Sequence, residues 1–379
     1  MPDKNMPQFA AKLIDWHGLH GRKNLPWQNT RDPYPIWISE IMLQQTQVST
    51  VIPYYARFLQ RYPDIETLAA AHLDDVLAQW SGLGYYSRGR NLHQAARRIV
   101  DDHGGKFPDR ADIIQGLPGV GRSTAAAIAV FAYGRRHAIL DGNVKRILAR
   151  CFGIDGYPGV KTNERRLWEK AEALLPDPAG TGTDNRIEVY TQALMDLGAT
   201  VCTRARPKCA VCPLREDCLA FQESRVRELP APRPRKRLPE RETALLILIR
   251  QGKILLEKRS HTGVWGSLWC FPEMPGGEDT HAYCSRRFNM EVKFLPPMDK
   301  FHHTFTHFRL KILPLPLQVV SLSPEVAPEG DTEVRWFAPH DALGAAIPAP
   351  VRKLLARIDD PGTRSRMLWH SWDYVEHVE

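Results

Sequence analysis

Long apolar runs are missing from this chain of 379 residues. Stretches such as 244–249 and 124–133 fall well short of the roughly 20 residues a membrane-spanning helix needs, so no membrane partner is expected. The opening MPDKNMPQFAAKL has no apolar signal core, which argues against secretion and for a cytoplasmic location. No internal repeat is present. A large charge of one sign is missing too. Lys and Arg number 51 against 43 Asp and Glu, and the net +8 is uneven: +5 over residues 1–220, +3 over 221–240 and zero beyond. A polyanion would meet the first part and the short basic stretch, although so small an excess selects no partner alone. Cysteine is scarce, seven in all, yet four lie between Cys202 and Cys218. Such crowding in a chain not bound for an oxidising compartment points to metal rather than disulfides. With 43% hydrophobic and 25% charged residues the composition excludes a disordered or fibrous chain, and the length favours two or three domains.

The texture changes once along the chain. Residues 9–222 read as helical. The stretch 35–52 carries Trp37, Ile38, Ile41, Met42, Val48, Val51 and Ile52 near helical spacing. Segments 65–79, 91–101, 123–132 and 143–152 read likewise, separated by short breaks with Gly or Pro. Residues 223–241, ESRVRELPAPRPRKRLPER, read as an extended basic linker. From Glu242, TALLILIRQGKILLEKRS sets two apolar runs around a Gln-Gly turn, a hairpin signal. HHTFTHFRLKILPLPLQVV suggests further strands, and 349–358 a short helix. The expected architecture is multidomain: an all-α domain over 1–222, a linker over 223–241 and an α+β domain over 242–379.

Four features carry chemistry. Cys202, Cys209, Cys212 and Cys218 follow C-x6-C-x2-C-x5-C, and four thiolates on a loop-rich segment can close a tetrahedral site. Residue chemistry leaves zinc and an iron–sulfur cluster both open. LPGVG (117–121) precedes the helical STAAAIAVFAYG. Gly119 and Gly121 permit a tight turn, and the free N–H groups of the next helix suit a phosphate oxygen, although a plain helix–helix turn has the same pattern. Glu40 sits among Trp37, Ile38, Ile41, Met42 and Leu43. A carboxyl in apolar surroundings stays protonated and can act as a general acid; the same spacing also suits a surface glutamate on an amphipathic helix. Asp141, before GNVKRILARC, suits a helix N-cap, and a cap carboxylate facing a cleft would stay ionised because helix N–H groups favour the anion. An acid and an ionised partner are what cleavage of an N-glycosidic bond needs.

The cysteine spacing and LPGVG resemble the [4Fe-4S] loop and the helix-hairpin-helix of the endonuclease III superfamily of DNA glycosylases. Taken with LPWQN (25–29), DPYPIWISEIMLQQTQV (32–48), GLGYYSRGRNLH (82–93), LDGNVKRIL (140–148) and ALMDLGATVC (193–202), the first half is similar to the MutY-type adenine glycosylases over nearly its whole length. The second half resembles the Nudix-like domain of that family. FPEMPGG (271–277) looks like the entry to a Nudix box, but the Arg-Glu and Glu-Glu pairs that would bind Mg²⁺ are missing from EDTHAYCSRRFNM.

The resemblance implies an all-α helix-hairpin-helix glycosylase domain, with a six-helix lobe, an iron–sulfur lobe and the hairpin near 111–132, followed by an α+β Nudix-like domain. It implies a monomeric enzyme that removes adenine opposite 8-oxoguanine, and more weakly opposite guanine, from double-stranded DNA (nucleoid-associated if the source is bacterial). Glu40 would be the acid and Asp141 the stabiliser of the sugar cation, with Asn143 close by; Leu25, Trp27 and Asp196 would surround the flipped adenine. Ser123 stands where bifunctional relatives carry a Schiff-base lysine and where some members have a tyrosine near the reacting sugar. The missing amine implies base removal without strand cleavage. Gln45, Thr46, Leu83 and Tyr85 would wedge into the duplex or touch the oxidised guanine, with Gly119 and Gly121 on a phosphate and Arg88, Arg90, Arg97 and Arg98 near others. Phe305, Thr306 and His307 match the loop that reads 8-oxoguanine, and Cys202, Cys209, Cys212 and Cys218 would hold the [4Fe-4S] cluster. Three rivals stand against this expectation. A lyase acting on oxidised pyrimidines is opposed by Ser123 and the second half, a mismatch-binding protein without turnover by Glu40, and a Nudix hydrolase by the degenerate box.

Overall fold

The computed structural model describes residues 6–177, 185–234, 238–322 and 332–360. The chain divides into two compact units, the first from residues 1–70 and 90–235, the second from 71–89 and 236–379. No helix among the described residues is long and apolar enough to cross a membrane.

The described part of the first unit is helical. Helix Gly142–Cys151 places Val144, Ile147, Leu148 and Cys151 on one buried face, the i, i+3, i+4, i+7 spacing of an amphipathic helix. That face packs on helix Arg186–Thr200 and joins Leu13, Val130, Leu194 and Leu197 in one core. The approach is close because position 198 has no side chain: a Cβ on Gly198 would fall 2.4 Å from Asn143 Cβ. Ala111–Gln115 and Arg122–Tyr133 form the helix-hairpin-helix, its turn anchored by buried Leu117 and Val120. Gly119 has φ 78°, and a Cβ there would meet Asn91 Cβ at 2.8 Å, so turn and neighbour both require glycine.

The expected linker over 223–241 does not begin as a linker. Leu229 is 3% exposed in the core of the first unit, and Arg150, itself 2% exposed, donates from Nε to Leu229 O at 2.8 Å. Arg225 pairs with Asp155, Glu223 and Glu228. One buried leucine and a guanidinium seeking acceptors override the Pro- and Arg-rich composition.

The second unit contains an eight-stranded sheet: β1 Glu240–Arg250, β2 Lys253–Lys258, β3 Trp269–Cys270, β4 Glu273–Met274, β5 Met290–Phe294, β6 Phe301–Thr304, β7 Arg309–Leu322 and β8 Val334–Phe337. The path runs β3-β2-β1-β7-β5, with β4 on β1, β6 on β7 and β8 on β2. The β1–β2 turn is Gln251-Gly252 with φ 46° and 69°, as the sequence suggests. β1 and β7 run parallel from Glu240 opposite Arg309 to Ile249 opposite Gln318. Leu245, Ile247 and Ile249 face one core; Ala244, Leu246 and Leu248 face the other. The unbroken apolar run of β1 thus reflects burial on both faces. Helix Ala349–Asp359 covers the first face, and helix Thr280–Phe288 the second. The latter carries Arg286 and Arg287 in its last turn, and Arg287 is bound to Glu257 at 2.7 Å.

Residues 71–89 were expected inside the first domain and belong to the second unit. The reason is apolar: Leu77, on helix Leu73–Trp80, is fully buried in the core of the second unit, with Leu73 and Tyr86 packed against that core.

Arg150 donates to Leu229 O, Thr203 O, Arg204 O and Cys202 Sγ. Arg150→Ala leaves these buried acceptors without their donor and should lower stability by about 3 kcal/mol in urea denaturation. A loss below about 1 kcal/mol would show that the cysteine loop does not depend on this guanidinium.

Candidate active site

The Glu40 helix, Pro33–Leu43, starts where Asp32 Oδ1 accepts from Tyr34 N at 3.0 Å and Pro33 supplies the first φ. Trp37, Ile38 and Met42 are completely buried, and Tyr34, Ile36, Ser39 and Ile41 nearly so. Such a helix has no solvated stripe, which removes the surface-glutamate alternative. Glu40 lines a cleft of about 620 Å³ together with Leu25, Trp27, Ile36, Leu43 and Val48. The residue is partly open to this cleft, but close-packed protein around the carboxyl governs its acidity. Burial, and then the negative charge of Asp141, push its pKa up to about 8.

Asp141 is the N-cap of helix Gly142–Cys151. Its Oδ1 accepts from Val144 N at 2.8 Å, and its Oδ2 from Asn143 Nδ2 at 3.2 Å. Burial raises its pKa, against the pull of the Val144 amide, Arg146 and Asn143. Glu40 has no comparable donors among the causes of its shift, so nothing there offsets the effect of burial. Asn143 is itself held: Arg146 Nη2 donates to its Oδ1 at 2.9 Å, while the same guanidinium reaches Gly198 O at 2.7 Å and Cys202 O at 2.6 Å.

Around the cleft, Trp27 packs edge-on to Tyr55 with ring centres 5.4 Å apart. Gln28, which residue patterns alone did not single out, fixes the LPWQN turn. It accepts from Leu25 N at 3.0 Å and donates to Arg22 O at 2.9 Å. Asp196 does not line the cleft. Its side chain is 1% exposed; Oδ2 accepts from Arg22 N at 2.7 Å, and Oδ1 from Arg22 Nε, Arg22 Nη2 and Gln192 Nε2 at 2.8, 2.6 and 2.8 Å. Burial works to raise its pKa, but His17 and Arg22 hold it below the usual carboxylate range. Asp196 is therefore corrected from a contact with the base to an anchor for the loop after helix Met6–His20, while Arg22 and Gln192 reach the cleft. Ser123 lies on helix Arg122–Tyr133. Its Oγ accepts from Leu140 N at 2.9 Å and so braces the residue that precedes Asp141.

Gly121 caps helix Arg122–Tyr133 without a side-chain hydrogen bond, and a Cβ there would meet nothing within 4 Å, so the first N–H groups have open access. Gln44 donates to Gly119 O and Thr124 Oγ1, each at 3.4 Å. Gln45 is exposed with φ 59°, and Thr46 is half-buried beside it. In the second unit Tyr85 is 45% exposed, whereas Leu83 is 6% exposed. Leu83 thus faces the interior in a turn where Gly82, Gly84 and Tyr85 all take positive φ. Arg88 is buried as well; it donates to the carbonyls of Leu83 and Gly84 and is not free for a phosphate. In the loop after β6, Phe305 stacks on Phe308 at 4.4 Å and turns inward, while Thr306 and His307 are exposed.

Cys202, Cys209, Cys212 and Cys218 line one small apolar cavity with Cys151, Leu197 and Leu214. Arg150 Nη1 lies 3.3 Å from Cys202 Sγ. Burial pushes Cys212 up to about 12, whereas a hydrogen bond with Cys151 and the amides of Phe221 and Ala220 bring Cys218 down to about 7. Among the described residues no three His, Cys, Asp or Glu side chains are gathered so as to hold a single metal ion.

Residues 38–173 match the family described as HhH-GPD superfamily base excision DNA repair protein, a span that encloses Glu40, Ser123 and Asp141. An adenine DNA glycosylase of Buchnera aphidicola subsp. Acyrthosiphon pisum (strain APS) is 37% identical over 347 residues, spanning 92% of this chain and 96% of that protein. The chain belongs to the adenine DNA glycosylase family. The relative from Mus musculus is 34% identical over 420 residues, spanning 94% of this chain and 79% of that protein. The second half matches the NUDIX domain family over residues 243–357. A solved thermostable thymine-DNA glycosylase is 31% identical with a TM-score of 0.52, covering 58% of this chain and 98% of that one.

Because the pKa of Glu40 is raised in the fold, the native chain keeps a proton that the unfolded chain releases near 4.5. Stability should therefore fall as pH rises from about 4.5 to about 8 and level off beyond. Glu40→Gln should flatten this decline and be the more stable protein at pH 8 by a few kcal/mol at most, measured by urea denaturation across pH. Parallel profiles for the two proteins would mean that Glu40 is not a shielded acid.

Proposed function

We propose that this glycosylase removes adenine mispaired with 8-oxoguanine, and more weakly with guanine, from duplex DNA and leaves the strand uncut. The observation that carries the reading is Glu40, its pKa pushed up by burial, lining a cleft with Leu25, Trp27 and Leu43 and feeling the charge of the hydrogen-bonded carboxylate of Asp141. A purine turned out of the base stack has room in this cleft between Leu25, Trp27 and Leu43. Glu40 gives its proton to N7 of the base as the bond from the sugar to N9 breaks, and the bonding electrons leave with the base. Asp141, anionic and held by Val144 and Asn143, lowers the energy of the electron-poor sugar. Water then adds to the sugar carbon and releases a proton. Ser123 offers no amine, so no Schiff base forms and the strand is not cut.

The opposite base is read from the second unit. Exposed Tyr85 supplies a ring to stack in the duplex, and Thr306 and His307 supply polar groups for the oxidised guanine. The degenerate Nudix box, with Arg286 and Arg287 on its helix, supports a reading role over diphosphate hydrolysis.

The donor set fits a [4Fe-4S] cluster held by Cys202, Cys209, Cys212 and Cys218. The four thiols line one cavity with Leu197 and Leu214, and Arg150 offsets negative charge there. When bound, the cluster supplies a rigid staple and no bond-making chemistry. This chain's own Arg204, Arg206 and Lys208 lie on the loop so held and suit a phosphate backbone.

Paired duplexes test the reading. Adenine opposite 8-oxoguanine should be released fastest, adenine opposite guanine more slowly, and thymine glycol opposite adenine not at all, with strand breaks only after alkali. Glu40→Gln should bind the mispaired duplex like the parent but release adenine at least about 100-fold more slowly. Parent-like turnover by that variant would sink the acid, and release of thymine glycol would favour the lyase rival. Separately, purified protein should be brown with about four irons per chain. Colourless protein holding one zinc would replace the cluster with a single-ion site.

A further inference from the structure

The turn that presents Tyr85 stands on the Nudix-like domain. Tyr86 Oη donates to Ile347 O at 2.7 Å, and Ser81 Oγ donates to the same carbonyl at 3.1 Å. Arg352, on the helix that covers the sheet, donates from Nη2 to Ser81 Oγ at 2.8 Å. Below these contacts Lys258 of β2 binds Asp74 at 2.7 Å, and Leu77 is buried against the sheet. Residues Gly82–Tyr85 bridge the two feet, Ser81 and Tyr86, in a turn with φ 105° at Gly82, 72° at Gly84 and 46° at Tyr85. The carbonyls of the turn are held from inside: Arg88 donates to Leu83 O at 3.3 Å and to Gly84 O at 3.1 Å, and Trp80 Nε1 donates to Gly84 O at 3.3 Å. A tyrosine in left-handed backbone is strained and persists only where its surroundings impose it.

We infer that Tyr86, Ser81 and Arg352 are positioning residues for recognition of the base opposite adenine, and that the carbonyl of Ile347 is their common anchor. Tyr85 is then an element of the Nudix-like domain in mechanical terms, although its sequence lies within the helical half. Both reader elements, Tyr85 and the Thr306–His307 loop, belong to the same compact unit. A substitution on helix Ala349–Asp359, remote in sequence from Tyr85, should alter how the lesion is read while leaving Glu40 untouched. This inference rests on the proposed reading of Tyr85 as a group that enters the duplex.

The test uses the full chain, with Tyr86→Phe, Arg352→Ala and Arg352→Lys compared with the parent. Single-turnover release of adenine is measured opposite 8-oxoguanine and opposite guanine. A 2-aminopurine beside the 8-oxoguanine reports insertion of the tyrosine through its fluorescence on binding. Tyr86→Phe and Arg352→Ala should each reduce the preference for 8-oxoguanine by about fivefold, the weight of one hydrogen bond, with the rate opposite guanine unchanged. The 2-aminopurine signal should shrink in parallel, and Arg352→Lys should restore part of both. Unchanged preference and signal in Tyr86→Phe, which loses a single oxygen and keeps the ring, would overturn the inference. Equal slowing on both duplexes would overturn it too, because a general loss of structure does not discriminate. A parent that releases no adenine defeats the proposed function itself, an outcome distinct from either.

Discussion

Glu40 and Asp141 lie close enough for the charge of one to raise the proton affinity of the other, and protein packing strips water from both. Only Asp141 has donors that favour its anion, from the first turn of its own helix and from Asn143. Burial raises the proton affinity of both groups, and at Asp141 local hydrogen bonding works against that rise. The asymmetry depends on dryness. If the protein packed around the Glu40 carboxyl loosened so that more water reached it, its pKa would return toward that of an ordinary carboxylate. The fully buried ring of Trp37 and the edge-on contact between Trp27 and Tyr55 are therefore part of the acid's chemistry as well as its packing.

Asp141 is placed by a chain of contacts that ends at the cysteine loop. Ser123 holds the residue before it, Asn143 holds its free oxygen, and Arg146 joins Asn143 to the carbonyls of Gly198 and Cys202. Gly198 matters because a side chain there would push Asn143 away. Arg150, one turn further along the same helix, holds the loop itself together with the segment at Leu229. One ten-residue helix, Gly142–Cys151, thus serves the anion at its first turn and the cysteine loop at its last. The geometry at Asp141 is thereby tied to the shape of the cysteine loop.

Much was legible in the sequence where the cause is local. The apolar run around Glu40 reads as a helix from its spacing, while its burial on all sides came only from the structure. The Asp-Gly-Asn start at Asp141 reads as a cap because a carboxylate needs only the next N–H groups to act as one. The Gln-Gly turn, the helix after 349 and the grouping of four cysteines follow from spacing alone. Sequence reasoning failed where a distant partner claims the side chain. Asp196 sits in a stretch associated with the adenine pocket, yet Arg22, 174 residues away, takes its carboxylate. Leu83 and Phe305 looked like contacts for DNA and are apolar supports instead; Tyr85, Thr306 and His307 are the outward members of the same turns.

The residue order of this chain, read alone, determined its periodicities, caps, turns and cysteine spacing, because each rests on neighbours within a turn or two. Tertiary structure decided which charged groups neutralise one another and which apolar residues go inward. It also decided that residues 71–89 belong with the strands that follow residue 236. Those outcomes depend on competition among partners far apart in the chain. A carboxylate or a leucine has no preference for one distant partner until folding brings a guanidinium or an apolar surface within reach.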